Sequence, residues 1–290
     1  MTVQEAAAEG KRTLKSSCLN AQITTPDLDA SLLLAEAMQL SREELIIHRE
    51  EPLAPDAHKK FMKLLERRMA GECVAYILGK KEFMGMEFFV NNSVLVPRPD
   101  TEILVDTILQ RWRNSADAEK KPKRVLDLCT GSGAIAISLK HEMPDLEVWA
   151  TDISVGALET ARANASRHQL TESIRFCQSH LFETLPSGLT FHAIASNPPY
   201  IPSDEIARLP PEVQMEPRLA LDGGKDGLEI IREIIKRAPG YLEPGGILLL
   251  EAAPEQMKNI SAELEKNCFI NIKIYNDLSQ MERAIEGTML

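Results

Sequence analysis

The segment Asn197-Pro198-Pro199-Tyr200 combines residue types that could make a planar NH₂ group react. On an amide or a nucleobase the nitrogen lone pair is delocalised, so it attacks only when it is directed out of the plane at an electrophile. The Asn197 side-chain oxygen and the Pro198 carbonyl could each accept one N–H, with the Tyr200 ring against the planar group. Proline fixes φ, so these acceptors would be in place before substrate binds. The alternative is a strand terminator, since Asn-Pro is a turn dipeptide.

Two further segments could bind the molecule that supplies the electrophile. Residues 127–133 (Asp-Leu-Cys-Thr-Gly-Ser-Gly) follow a predicted strand and open a helical run, so bare backbone and free N–H groups would face an anionic group. Asp152 ends the next strand, where a carboxylate can accept both hydroxyls of a ribose. Each signal alone has an ordinary alternative, because glycine also serves packing and an acid often caps a helix. In this order the three segments predict an amino-methyltransferase dependent on S-adenosyl-L-methionine (AdoMet), with no metal.

Alternating strand-like and helical stretches from Arg124 onward place these segments. The strand-like runs are 125–128, 147–150, 174–176, 191–196 and 247–250. Such alternation predicts a parallel sheet with helices on both faces, which binds ligands at the carboxyl ends of its strands. Two later runs, 269–275 and 283–285, leave no room for a helix, so we expect an antiparallel hairpin at the sheet edge. The expected fold class is α/β, with a Rossmann-like, seven-stranded methyltransferase domain.

The region before the sheet has a different pattern. Residues 1–75 are poor in glycine, with apolar residues spaced by three and four, which predicts three to five short helices with starts at Thr25 and Ser41. Residues 76–96 have strand-forming residues and turn signals typical of a β-hairpin linker, so the catalytic domain is expected over 97–290. In 56–70, basic residues lie opposite an apolar stripe; this face is either solvated or a docking surface for an acidic partner.

Composition excludes several classes of protein. With 290 residues, 44% apolar and 26% charged, the chain has the composition of an ordinary globular protein. The net charge of −10 opposes unselective binding to a phosphate backbone, so we expect no stable nucleic-acid complex. We expect a cytoplasmic protein without membrane contact, because no apolar run approaches the ~20 residues of a bilayer span and no secretory signal is evident. Five scattered cysteines predict reduced thiols.

Asn-Pro-Pro-Tyr is shared by several families of amino-methyltransferases, including those that act on adenine and guanine. The sequence blocks that flank it indicate which of these families the chain resembles. With these blocks the chain resembles the bacterial release-factor glutamine methyltransferases, which methylate the glutamine of the Gly-Gly-Gln tip of peptide-chain release factors. The blocks are Tyr-Ile-Leu-Gly at 76–79, Glu-Phe at 82–83, Gly85, Val-Leu-Val-Pro-Arg-Pro-Asp-Thr-Glu at 94–102, Leu-Pro-Pro-Glu-Val at 209–213 and Gly-Gly-Lys-Asp-Gly-Leu at 223–228.

The resemblance implies AdoMet as cofactor, S-adenosyl-L-homocysteine as product, class I release factors as partners and a monomer. It puts substrate binding on Asn197, Pro198, Pro199 and Tyr200, with Asn197, Pro198 and Tyr200 as the catalytic residues. It puts cofactor binding on Asp127, Cys129, Thr130, Gly131, Ser132, Gly133, Asp152, Leu181, Phe182 and Asn197. A ribosomal-protein glutamine or a nucleobase amine is the alternative substrate, and a non-catalytic module that binds release factors is the alternative class.

Two positions and one segment depart from the family pattern. Cys129 replaces a glycine, which a small side chain tolerates if φ is negative there; a nucleophilic role is not expected, because direct transfer needs no covalent intermediate. His180 replaces an acid before the adenine contact, and we expect this to weaken cofactor binding by about 1–3 kcal/mol. The segment 251–256, Glu-Ala-Ala-Pro-Glu-Gln, replaces a glycine-rich one and suggests no function by itself.

Overall fold

The computed structural model describes residues 1–16, 23–113 and 123–290, and these residues form two compact units. The first unit is Met1–Lys80 with Ala207–Glu216, and the second is Lys81–Ile206 with Pro217–Leu290. The boundaries expected from the sequence, 1–75, 76–96 and 97–290, stay a prediction. No sequence signal indicated that Ala207–Glu216 would belong with the helical unit.

The helices in the described ranges follow the expected order. They are α1 (Val3–Lys15), α2 (Pro26–Met38), α3 (Arg42–Ile47), α4 (Pro55–Met69), α5 (Val74–Leu78), α6 (Glu102–Arg113), α7 (Ala134–Glu142), α8 (Val155–Arg167), α9 (Pro211–Gln214), α10 (Glu229–Arg237) and α11 (Met257–Lys266). Both predicted helix starts are confirmed: Thr25 is the N-cap of α2 with Pro26 at its first position, and the Ser41 side chain caps α3. None of the described helices is long and apolar enough to cross a bilayer.

The first unit packs its helices around Phe61 of α4, which is fully buried. A Cβ added to Gly10 of α1 would lie 2.5 Å from the Phe61 ring, so glycine is needed there for close packing. Arg68 is also buried and binds two carboxylates, Asp29 Oδ2 and Glu212 Oε2, each at 2.7 Å. The Arg68–Asp29 pair is buried on both sides, so removing either partner would leave an unpaired buried charge. The pair with the partly exposed Glu212 connects the returning segment to α4.

Two residues of the basic face of α4, Lys60 and Arg67, have partners within the first unit. Lys60 Nζ lies 2.8 Å from Glu36 Oε1, and Arg67 donates two hydrogen bonds to the carboxylate of Glu72. These pairs favour a structural and solvated role for this face over a docking surface for an acidic partner.

The second unit contains one sheet of seven strands and a separate hairpin, which confirms the predicted fold class. The hairpin is β1 (Lys80–Phe83) and β2 (Met86–Phe89), and the sheet strands are β3 (Arg124–Leu128), β4 (Glu147–Asp152), β5 (Ile174–Gln178), β6 (Phe191–Ser196), β7 (Leu242–Glu251), β8 (Phe269–Asn276) and β9 (Glu282–Met289). The sheet order is β5-β4-β3-β6-β7-β9-β8. Strands β3 to β7 are parallel, and β9 is antiparallel to both of its neighbours.

Alternating side chains give the sheet two buried faces. Val125, Val148 and Ile247 lie in the same apolar cluster as residues of α6 and α7, while Leu126, Ile194 and Leu248 lie in the cluster that includes residues of α10 and α11. This explains why the central strands have continuous apolar runs in the sequence, as expected for a sheet that is covered on both sides.

The hairpin is shorter than the predicted range 76–96. Residues 76–78 complete α5, and Gly79 ends that helix in the left-handed region with φ 70°. The strands turn at Met84-Gly85, where both residues have positive φ. Tyr76 and Ile77 are therefore helical, although their types favour strands, because tertiary packing overrides a weak local preference.

Candidate active site

The strand order creates a crevice at one edge of the sheet. The chain runs from β3 outward to β4 and β5, then returns to β6 on the opposite side of β3. Ligands bind at such a switch point, outside the carboxyl ends of the strands. The loop after β3, Asp152 at the end of β4 and the motif after β6 therefore meet at this edge.

A cleft of about 1170 Å³, a volume that includes the open solvent at its mouth, lies there. The predicted site residues that line it are Cys129, Thr130, Gly131, Ser132, Asp152, Leu181, Asn197 and Pro199. The predicted residues outside its lining are Asp127, Gly133, Phe182, Pro198 and Tyr200. All lining residues belong to the second unit.

Asp127 and Gly133 support the loop from behind. The fully buried Asp127 Oδ2 accepts hydrogen bonds from the Thr130 hydroxyl at 2.6 Å and the Ala136 amide at 3.1 Å. Burial raises the pKa of Asp127 to about 7. At Gly133 φ is +82°, and a Cβ would lie 2.9 Å from Ile137 and 3.2 Å from Ala161, so this glycine serves close packing. Both residues thus shape the loop in this structure.

Cys129 lies in the left-handed region with φ +58°. The expectation that a small side chain is tolerated at position 129 required a negative φ, so it does not apply. The chain must turn sharply between β3 and α7, and this conformation costs a non-glycine residue about 1–2 kcal/mol. Burial also raises the pKa of the Cys129 thiol to about 12, so the thiol stays neutral and is a poor nucleophile. Cys73, Cys177 and Cys268 are also free, while Cys18 lies outside the described residues.

The carboxylate of Asp152 joins the loop to the end of β4. Its Oδ2 accepts the Gly131 amide and its Oδ1 accepts the Ser154 amide, both at 2.9 Å. Each carboxylate oxygen has two lone-pair sites, so each keeps capacity for one more donor. Gly131 beside it has open space around an added Cβ. A diol presented to Asp152, next to bare backbone in the cleft, is therefore compatible with these residues.

The segment after β5 divides its side chains between cleft and core. Leu181 lines the cleft and has φ +52°, whereas Phe182 is fully buried and stacks on Tyr241 with ring centroids 4.6 Å apart. His180 also lines the cleft, and its Nδ1 lies 3.1 Å from Glu183 Oε1.

Asn197 is held by groups far away in the sequence. Its Nδ2 donates to Thr101 Oγ1 at 3.0 Å, and the Thr101 hydroxyl donates to Glu251 Oε2 at 2.6 Å. The Tyr200 hydroxyl donates to the other oxygen of Glu251 at 3.3 Å. Burial raises the pKa of Glu251 to about 7, while the nearby charge of Arg283 opposes that rise. One carboxylate thus connects both ends of the motif.

A glycine loop supports the backbone of Tyr200. Gln256 Nε2 donates to the carbonyl oxygens of Tyr200 and Gly227, at 2.9 and 3.2 Å. Gly227 has φ +73°, and a Cβ there would lie 2.3 Å from the Tyr200 carbonyl oxygen. Gly223 is equally restricted, since its Cβ would lie 2.8 Å from Pro199 O and from the Tyr200 Cα. The segment 223–228 therefore has a structural task at this site.

Sequence reasoning missed Thr101, Glu251 and Gln256. Glu251 had one usable signal, because it directly follows a predicted strand and so lies at the ligand-binding edge of the sheet. Thr101 lies in the family block 94–102, but nothing there linked it to Asn197, which is 96 positions away and is brought close only by the fold.

Comparison with known proteins assigns relatives to both parts of the chain. Residues 5–79 match the family model of the PrmC N-terminal domain, and residues 100–208 match that of the methyltransferase small domain. The chain is 39% identical to a release factor glutamine methyltransferase of Burkholderia pseudomallei (strain K96243), over 99% of both chains. It is 41% identical to one of Moorella thermoacetica (strain ATCC 39073 / JCM 9320), over 88% of this chain and 87% of the relative.

Among solved structures, a T. thermophilus 16S rRNA N2 G1207 methyltransferase in complex with AdoMet and guanosine has a TM-score of 0.52. It is 17% identical and matches 73% of this chain and 50% of that one. This similarity supports a shared methyltransferase fold.

Proposed function

The chain belongs to the release factor glutamine methyltransferase family, and from this premise we propose that it methylates the side-chain amide nitrogen of the glutamine in the Gly-Gly-Gln tip of class I release factors. The observation that carries the proposal is the orientation of Asn197. Its NH₂ group is engaged by Thr101, which leaves its side-chain oxygen as an acceptor at the cleft, where a planar NH₂ group could donate to it.

We assign cofactor binding to the residues that line the cleft. Asp152 would accept the ribose hydroxyls, residues 129–133 would face the methionine part of AdoMet, and Leu181 would lie near the adenine. When bound, AdoMet would supply the methyl group from its sulfonium sulfur to the amide nitrogen and would be left as S-adenosyl-L-homocysteine.

The chain's own residues would prepare the amide nitrogen for attack. Asn197 Oδ1 and the Pro198 carbonyl would each accept one N–H, which directs the nitrogen lone pair away from the amide plane. As the nitrogen gains positive charge, the same two oxygens stabilise that charge, because they are held in place before the reaction. After transfer the nitrogen releases one proton to water and keeps the other. Tyr200 would support the amide plane, and Pro199 would restrict the loop.

We assign recognition of the release factor to the helical unit as well as the cleft. We further propose that the enzyme works as a monomer in the cytoplasm. A nucleobase substrate would require a surface that takes a base out of its stack, and a net charge of −10 opposes binding to the surrounding phosphates.

The test is transfer of labelled methyl from AdoMet to purified class I release factors, with mass spectrometry of peptides to locate the label. A release factor with Gln→Ala in its tip is the control substrate. We expect label on that glutamine and none on the control. Label on another residue, or none despite measured AdoMet binding, would contradict the proposed substrate and direct the search to ribosomal proteins and nucleobases. Absence of AdoMet binding would favour the non-catalytic module.

Asn197→Ala provides the matching test on the enzyme. Because it removes one acceptor from the charge-bearing nitrogen, we expect kcat to fall roughly 100-fold or more with unchanged AdoMet affinity. Asn276→Ala is the control variant, since Asn276 is exposed at the end of β8 and does not line the cleft. A wild-type rate in Asn197→Ala would remove Asn197 from the mechanism.

A further inference from the structure

The carboxylate of Glu251 lies beneath the motif and has few options for its hydrogen bonds. It is 1% exposed, and its two oxygens accept the hydroxyls of Thr101 and Tyr200. An ionised carboxylate has no hydrogen to donate, so every bond it makes runs toward it. The donors around Glu251 are therefore forced to point at it.

This constraint passes through Thr101 to Asn197. The Thr101 hydroxyl has a single hydrogen, which is used toward Glu251 at 2.6 Å. Toward Asn197, 3.0 Å away, the same hydroxyl can only accept. An asparagine amide can rotate by 180° and exchange its oxygen and nitrogen, but only one of the two orientations presents a donor to Thr101. The carboxylate thus determines which end of the amide faces the cleft.

We propose that Thr101 and Glu251 are positioning residues that fix the orientation of the Asn197 amide, so that its oxygen faces the NH₂ group of the substrate. The proposal rests on the function proposed above. The reversed orientation would direct the Asn197 NH₂ group at the substrate NH₂ group, so two donors would face each other and neither substrate hydrogen would be accepted. We call the hydrogen-bond chain from Glu251 through Thr101 to Asn197 the relay. It favours a substrate group that donates a hydrogen bond to Asn197 over a group that only accepts one.

Tyr200 gives the relay a second function. Its hydroxyl binds the remaining oxygen of Glu251, and Gln256 binds its backbone carbonyl, so the side chain and the backbone of Tyr200 are each held by a hydrogen bond. Burial disfavours the charge of Glu251 and raises its pKa to about 7, whereas the Thr101 hydroxyl and the charge of Arg283 favour the ionised form. Alkaline assay pH therefore favours the acceptor-only form of the carboxylate.

The test compares Thr101→Val with Thr101→Ser. Valine has the shape of threonine without the hydroxyl, whereas serine keeps the hydroxyl and loses only a methyl group. In Thr101→Val the partly buried NH₂ group of Asn197 would lose its acceptor, so the amide should turn its NH₂ group to the cleft. We expect kcat to fall about tenfold or more in Thr101→Val, with unchanged AdoMet affinity, and near wild-type kcat in Thr101→Ser.

A binding measurement distinguishes orientation from mere loss of stability. A release factor with Gln→Glu in its tip presents only acceptors, so it should compete weakly for the wild-type enzyme and better for an enzyme with a reversed Asn197. We expect the inhibition constant of the Glu-tip factor, relative to that of an inert Ala-tip factor, to fall about tenfold in Thr101→Val and to stay unchanged in Thr101→Ser. A uniform loss of binding to both factors would indicate damage to the site and overturn the proposal.

Glu251→Gln tests the relay from its other end and covers the case in which Thr101→Val does not fold. A glutamine NH₂ group can donate to Thr101, which turns the Thr101 hydrogen toward Asn197 and reverses the amide. We expect the same fall in kcat and the same gain for the Glu-tip factor. If a folded variant keeps the wild-type kcat and the wild-type inhibition constant of the Glu-tip factor, the positioning role of Thr101 and Glu251 is refuted, while the proposed function stands. If the wild-type enzyme does not methylate the Gln tip, the proposed function is refuted, and the inhibition constants still test the positioning role.

Discussion

Replacing Asp152 should weaken AdoMet binding far more than it slows the chemical step. The Asp152 carboxylate accepts the Gly131 and Ser154 amides at 2.9 Å, and it keeps one lone-pair site on each oxygen for a ribose hydroxyl. A hydrogen bond to a charged group contributes about 1.5–3 kcal/mol. Losing two of them in Asp152→Ala removes at least ~3 kcal/mol of binding free energy, which corresponds to an affinity about 100-fold weaker.

Asp152→Asn gives a graded comparison. Its side chain keeps one acceptor oxygen but presents an NH₂ group in place of the other, so about one of the two ribose contacts should be lost. The expected affinity is about tenfold weaker than wild type. Asp145→Ala is the matched control, because this exposed acid precedes the opposite end of β4.

Isothermal titration calorimetry with AdoMet at pH 8 measures these affinities, and urea unfolding measures the accompanying loss of stability. Asp152→Ala also removes the acceptor of two backbone amides, so its free energy of unfolding should fall by about 1–3 kcal/mol. At saturating AdoMet, kcat should remain close to wild type, because Asp152 does not touch the amide. Unchanged affinity in Asp152→Ala, with the protein folded, would refute the assignment of the ribose to this carboxylate.

Three further substitutions test the structure of the site. Gly227→Ala should lower kcat about tenfold or more without lowering the affinity for AdoMet, because the added Cβ would displace the Tyr200 carbonyl. Steady-state kinetics measure this, and Gly240→Ala is the control because an added Cβ has open space there. Cys129→Gly should raise the free energy of unfolding by about 0.5–1 kcal/mol in urea, since relief of left-handed strain exceeds the entropy cost of glycine; a destabilised variant would contradict this. Burial raises the pKa of Glu251 from 4.5 to about 7, so the native state retains a proton that the unfolded chain releases, and stability falls as pH rises through this window. Glu251→Gln should therefore recover up to ~3 kcal/mol at pH 8 relative to pH 5, and an identical pH dependence in both proteins would show that Glu251 is not perturbed.

The segments that line the cleft could be located in advance because their signals are local. Glycines after a strand, an acid at the next strand end and Asn-Pro-Pro-Tyr after a later strand are readable along a few residues each. The alternation of strand-like and helical stretches also predicted the layers of the sheet, because parallel neighbouring strands need crossover connections whose helices cover its faces. These features depend on neighbours in sequence, which is why the amino-acid order alone was informative.

The backbone conformation of Cys129 shows where local reasoning failed. The residue type favours negative φ, yet the turn between β3 and α7 places it at +58°, because the positions of the strand and the helix decide the turn between them. The same holds for Tyr76 and Ile77, which are both buried in helical conformation, Ile77 within the apolar cluster of the first unit.

What the sequence by itself determined is therefore the class of the fold and the identity of the groups at the cleft. What only the tertiary structure decided is how those groups are aimed. Thr101, Asn197 and Glu251 come from three distant parts of the chain, and a hydrogen bond between two of them has no periodicity or spacing that would mark it. Their direction is set by one buried carboxylate that only accepts once it is ionised, and burial is a property of the packed fold.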